Sequence, residues 1–158
     1  MRFFLIDRVT EIVPGHRARG IKTVSLSDEI LHDHFPDYPV MPGALVLEAA
    51  AQLGGFLAEM SVNKPGAPLL RAVLVAVDQA KFYEPAGPGD CLDVAVTLES
   101  TLSGAAQLAA EVRAGERRIA RATLTFVLRA IDSERVHEQR RALYRLWTRR
   151  LDPPITIP

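Results

Sequence analysis

His34-Phe35-Pro36-Asp37-Tyr38-Pro39-Val40-Met41-Pro42-Gly43 runs directly into Ala44-Leu45-Val46-Leu47-Glu48-Ala49-Ala50-Ala51-Gln52-Leu53. The prolines and glycine of the first half predict a rigid loop, because each proline fixes φ and removes a backbone donor. Pro42 opens the second half, residues 42–60, which is dense in Ala and Leu and predicts the one long helix before the tail. Proline at a first helical position sacrifices no hydrogen bond, since that amide has no intrahelical acceptor. Asn63-Lys64-Pro65-Gly66 ends the helix. From Ala44 to Ala58 only Glu48 and Gln52 are polar. Spaced four apart, they share one face with Leu45, Ala49 and Phe56. A helix apolar nearly all round is a buried one, and burial favours the protonated form of a carboxylic acid. Two readings of Glu48 follow: a residue that reaches the surface or a buried ion pair, or a proton donor.

Outward from this helix the signals are those of strands. Residues 9–13 and 17–26 flank the turn Pro14-Gly15-His16 and predict a hairpin, and residues 27–41 predict a loop with at most one helical turn. Residues 69–77 are apolar and β-branched, with 78–83 following before a break at 85–90. Leu92, Val94, Val96 and Leu98 alternate with Asp93, Ala95 and Thr97, the period of a half-buried strand. Residues 105–113 and 117–130 predict two more strands joined across Gly115-Glu116. The expected fold class is α+β: five or six antiparallel strands with one central helix. No repeat or low-complexity stretch interrupts it.

Composition limits the function classes. The 158 residues carry a formal net charge of zero, so no global field advertises nucleic acid or an anionic membrane. The single cysteine, Cys91, excludes an intrachain disulfide and a multi-cysteine zinc site. It is expected to be a small buried strand residue. His16, His32 and His137 are expected at the surface, and a His32-His34 metal pair lacks a third ligand. The N-terminal segment, residues 1–8, meets charge too early for a signal peptide, and the apolar run 44–58 is short for a bilayer span. The expected location is cytoplasmic, without membrane insertion.

His34-Phe35-Pro36, Pro39-Val40-Met41-Pro42-Gly43, Glu48 and Gln52 together resemble the signature of the β-hydroxyacyl-acyl-carrier-protein dehydratases of fatty-acid synthesis. Phe4-Leu5-Ile6-Asp7-Arg8-Val9, Val77-Asp78-Gln79-Ala80-Lys81-Phe82 and Pro88-Gly89-Asp90 extend the resemblance over about residues 3–130. It implies a hotdog fold, a curved antiparallel sheet wrapped around the long helix. It implies a homodimer, or a higher even oligomer, whose sites combine His34 of one chain with Glu48 of the other. It also implies that no metal or organic cofactor is needed, and that the substrate is a (3R)-hydroxyacyl chain on the phosphopantetheine of acyl carrier protein. Asp37 departs from the family, which commonly has glycine right after His-Phe-Pro.

Such a reaction requires a base for the C2 proton, an acid for the C3 hydroxyl and a donor for the thioester oxygen. The expected assignments are His34, Glu48 and the Gly43 amide, with Gln52 supporting the acid. Helix N-terminal amides favour developing negative charge. The alternatives are a bifunctional dehydratase/isomerase, whose relatives carry Asp where Glu48 stands, a hotdog thioesterase, and a catalytically silent acyl-binding subunit.

The chain is expected to divide into a domain of residues 1–131 and a tail of residues 132–158. Within the tail, residues 132–151 place Val136, Leu143, Tyr144, Leu146, Trp147 and Leu151 near one helical stripe, with arginines over much of the remainder. The stripe is expected to pack on the sheet or on a neighbouring subunit, leaving the arginines outward.

Overall fold

The computed structural model describes residues 3–158; Met1 and Arg2 of the N-terminal segment lie outside them. Six strands form one sheet: β1 (Arg8–Val13), β2 (Arg17–Thr23), β3 (Leu70–Phe82), β4 (Cys91–Leu102), β5 (Ala105–Ala114) and β6 (Arg117–Ala130). Their spatial order is β1-β2-β4-β5-β6-β3 and every pairing is antiparallel. Helix α1 (Gly43–Val62) packs against this sheet, and helix α2 (Glu134–Thr148) follows it at the C-terminus.

Strand alternation explains the wrap. Leu92, Val94 and Val96 of β4, Leu108 and Val112 of β5, and Ala120, Leu124 and Phe126 of β6 are all buried. They form one core with Ala49, Leu53, Phe56 and Leu57 of α1. The approach of helix to sheet is close: a Cβ on Gly54 would stand 3.2 Å from the Phe126 ring. At 20 residues α1 has the length of a bilayer span, but here the apolar surroundings are supplied by the sheet.

The sequence places strand signals at 69–77 with 78–83 following, and β3 runs through both as one strand of 13 residues. Register shifts at Leu74/Ala76 and Asp78/Lys81, with Gln79 at φ 51°, carry the pairing with β6 through the polar stretch. Such bulges add a residue and bend the strand without ending it. β2 stops at Thr23, where Asp7 accepts from the Thr23 amide and hydroxyl, both at 2.6 Å. Two single-residue expectations fail. Cys91, at the first position of β4, is exposed. His137 is buried, because α2 turns it inward against Arg71 of β3.

α2 is capped by Ser133, whose hydroxyl accepts from the Val136 amide at 3.4 Å. Its inner face carries Tyr144 and Trp147, which pack on Phe56 of α1 with ring centroids 4.7 and 6.1 Å away. Beneath them Glu59 accepts from Arg71 at 2.7 Å and from the Tyr144 hydroxyl at 2.9 Å. Arg71 Nε donates to His137 Nδ1 at 3.0 Å, and His137 Nε2 in turn meets the Ile131 carbonyl at 2.8 Å. Burial first, then the Glu59 carboxylate, push the Tyr144 phenol well above its ordinary pKa. Arg135, Arg145, Arg149 and Arg150 remain exposed.

Candidate active site

The loop before α1 is built to hold one ring. Phe35 and Tyr38 exchange backbone hydrogen bonds, each at 3.0 Å, and the Val40 amide donates to the His34 carbonyl at 2.7 Å. Asp37 at the tip has φ 63°. That region favours glycine and tolerates aspartate, so the departure at position 37 leaves a loop with a left-handed tip. The His34 ring stacks on Phe35 with centroids 4.1 Å apart, and its Nδ1 lies 2.8 Å from the Val40 carbonyl. A carbonyl oxygen can only accept, so Nδ1 is the donor in this contact and Nε2 is the ring nitrogen left over.

The loop is anchored to the turn before β4. Met41 donates its amide to the Ala86 carbonyl at 2.7 Å. Asp90 holds that turn by accepting from the Gly87 amide at 2.9 Å and from Arg117 at 2.5 Å, and Arg117 also reaches the Pro85 carbonyl at 2.9 Å. Partial burial works against the Asp90 carboxylate, but the Gly87 amide and Arg117 outweigh it and hold its pKa below the ordinary value.

Gly43, the first residue of α1, faces Phe82: a Cβ there would stand 2.8 Å from the ring. Only glycine lets that ring close over the helix start, where the first amides have no intrahelical acceptor. His34 and Gly43 line one cavity of about 500 Å3 with Val40, Met41, Phe82 and Tyr83. His34 and Gly43 therefore come together within one chain.

Glu48 lines a different cavity, of about 800 Å3, with Gln52, Phe3, Phe4 and residues of α2. It is half-buried rather than sealed. Gln52 Nε2 donates to Glu48 Oε1 at 2.9 Å and to the Phe3 carbonyl at 3.0 Å, while Gln52 Oε1 accepts from the Leu5 amide at 3.0 Å. The Gln52 amide thus fixes the carboxyl oxygen and ties it to the N-terminal segment. The single chain joins Glu48 to Gln52 and His34 to Gly43, and leaves the two pairs in separate cavities.

Sequence reasoning missed Glu59, Arg71 and Tyr144 as a buried polar cluster and placed His137 at the surface. The signal was present: Glu59 ends an apolar helix face and Arg71 opens an apolar strand, the same isolation that singled out Glu48.

An antiparallel sheet packed against one long central helix is the arrangement of a hotdog protein. Solved structures share this fold. A hot-dog-like protein from Thermanaerovibrio acidaminovorans superposes with a TM-score of 0.61 at 20% identity, over 87% of this chain and 93% of that one. A chain of the dehydratase heterocomplex ApeI:P from Xenorhabdus doucetiae gives 0.65 at 16% identity, over 87% and 89%. At the sequence level, the 3-hydroxyacyl-acyl-carrier-protein dehydratase FabZ of Natranaerobius thermophilus is 40% identical over 124 residues, 78% of this chain and 85% of its own length. The FabA-like domain matches residues 1–123, and the chain belongs to that family. α2 lies wholly beyond the match.

Proposed function

We propose that the protein is a lyase that reversibly dehydrates a (3R)-3-hydroxyacyl thioester on acyl carrier protein to the trans-2-enoyl thioester, within fatty-acid synthesis. The observation that carries the reading is the 2.8 Å contact of His34 Nδ1 with the Val40 carbonyl, which leaves Nε2 to act as the base in the cavity that Gly43 also lines. The Gly43 amide stabilises negative charge on the thioester oxygen. His34 Nε2 takes the C2 proton, and Glu48 gives a proton to the departing C3 hydroxyl, which leaves as water. General acid–base help of this kind contributes roughly 10²–10⁴-fold, and an oxyanion donor on the order of 10²–10³-fold. Gln52 keeps the Glu48 carboxyl oriented. Residues 1–131 constitute the dehydratase domain and 132–158 an appended tail.

The separate cavities of His34 and Glu48 support a composite site, with His34 of one protomer working against the partner's Glu48. The exposed edge of the sheet supports the same homodimer. Among the described residues β3 pairs only with β6, and its stretch Ala72–Val77 is uncharged, with Val73, Leu74, Val75 and Val77 exposed. Long apolar edges left bare are aggregation sites, and a second copy of β3 would cover this one. At the opposite edge β1 is six residues long, carries Arg8 and Glu11 and is contacted by α2. The cytoplasm is the location that this reading implies.

Purified protein incubated with a 3-hydroxyacyl thioester tests the activity. Loss of one water from the substrate, followed by mass spectrometry and reversed by adding the enoyl product, is the expected outcome. Release of free thiol, or no change, would overturn it.

A further inference from the structure

One face of α1 carries, in chain order, Leu45, Glu48, Gln52, Phe56 and Glu59 at spacings of three and four. α2 covers this face. At its C-terminal end the contact is sealed by Phe56 against Tyr144 and Trp147, and by the Glu59–Arg71–His137 cluster. Among the described residues no buried side-chain nitrogen or oxygen lacks a partner, so this end is finished and holds α2 in one position. Toward Glu48 the same two helices enclose the cavity of about 800 Å3, with Leu143, Leu146 and Arg140 on the α2 side. That volume lies within the range of about 300–1,000 Å3 usual for small-molecule sites.

We infer that α2 forms the distal wall of the acyl pocket, and that Leu143 and Leu146 set the chain length accepted beside Glu48. The inference rests on the dehydratase reading above. If Glu48 protonates the C3 hydroxyl, the acyl chain beyond C3 needs a place adjoining Glu48, and this cavity adjoins it. The lining is mostly apolar: Phe3, Phe4, Leu143, Leu146 and Trp147 contribute hydrocarbon, with Gln139 and Arg140 as the polar groups on the α2 side. Gln52, the neutral polar group nearest the acid, is already committed to Glu48, the Phe3 carbonyl and the Leu5 amide. Each methylene buried there contributes about fourfold to binding. Because α2 lies beyond the FabA-like match, this selectivity is a property of the chain's own tail.

The test compares kcat/KM for 3-hydroxyacyl pantetheine thioesters with short and long acyl chains, in wild type, Leu143→Trp and Leu146→Trp. Leu146 is 49% exposed, so its replacement leaves the core intact, and a thermal melt checks that each variant is folded. The long-to-short ratio is expected to fall by about tenfold or more, as filling the pocket excludes roughly two methylenes. Leu146→Ala should move the preference toward longer chains, while Arg149→Ala, exposed and off the cavity, leaves the ratio unchanged. An unchanged ratio in both folded tryptophan variants would overturn the inference. An equal fall at every length would also overturn it, since the wall would then hold the shared arm. If wild type dehydrates neither length, the dehydratase reading itself has failed.

Discussion

Glu48 and Glu59 stand on one face of one helix, and their surroundings give them opposite tasks. Glu59 is 1% exposed and bound by Arg71, Tyr144 and the Ala72 amide, which leaves it no freedom to exchange protons with a substrate. Removing one partner from such a buried pair costs about 3–5 kcal/mol. Glu59→Gln and Arg71→Met should each show that loss in denaturant unfolding. Glu48 is half-buried, touches Gln52 and opens onto a cavity. Glu48→Gln and His34→Ala should each abolish dehydration while unfolding stays within about 1 kcal/mol of wild type; near-normal turnover in either would remove it from the mechanism. Asp90 is a third case, fixed by a turn amide and Arg117 with its pKa held down. A depressed carboxylate stabilises the fold at pH above its unfolded value, near 3.8, and loses that contribution as pH falls through the lower folded value. The gap in thermal midpoint between wild type and Asp90→Asn should therefore be widest near neutrality and close in acid.

At the scale of elements the tail helix separates local from tertiary information. The loop, helix α1 and the alternating strand β4 were legible because proline chemistry, helical spacing and period-2 burial are local patterns. The amphipathic stripe with Tyr144 and Trp147 likewise announced a packed helix. Its target was not legible, because Phe56, Glu59 and Arg71 meet it only through the sheet's long-range closure. His137 illustrates the limit: a histidine among arginines reads as solvated until β3 supplies Arg71 and Ile131 closes the other nitrogen. Along β3 the bulges that carry the pairing through Asp78 and Gln79 are likewise set by the partner strand. Removing residues 132–158 would bare Phe56 and leave the Glu59–Arg71 pair without its cover. Calorimetry should show a lower thermal midpoint for the truncated chain, with a loss of several kcal/mol drawn from the aromatic contacts and the opened ion pair. An unchanged midpoint would mean that the tail contributes no packing energy.

For the whole molecule, the site and the association state are one question. His34 with Gly43, and Glu48 with Gln52, line separate cavities of one chain, and the apolar residues of β3 are exposed. Neither the pairing of the halves nor the need for a partner follows from periodicity or composition, because both depend on surfaces that no local pattern describes. The family resemblance supplied that expectation. Subunit exchange between His34→Ala and Glu48→Gln proteins tests it most directly. Each heterodimer would hold one intact site and one doubly damaged site, so an equal mixture of two inactive proteins should recover about a quarter of wild-type activity once subunits have exchanged. Silence from verified heterodimers would contradict the composite site and return both residues to a single chain.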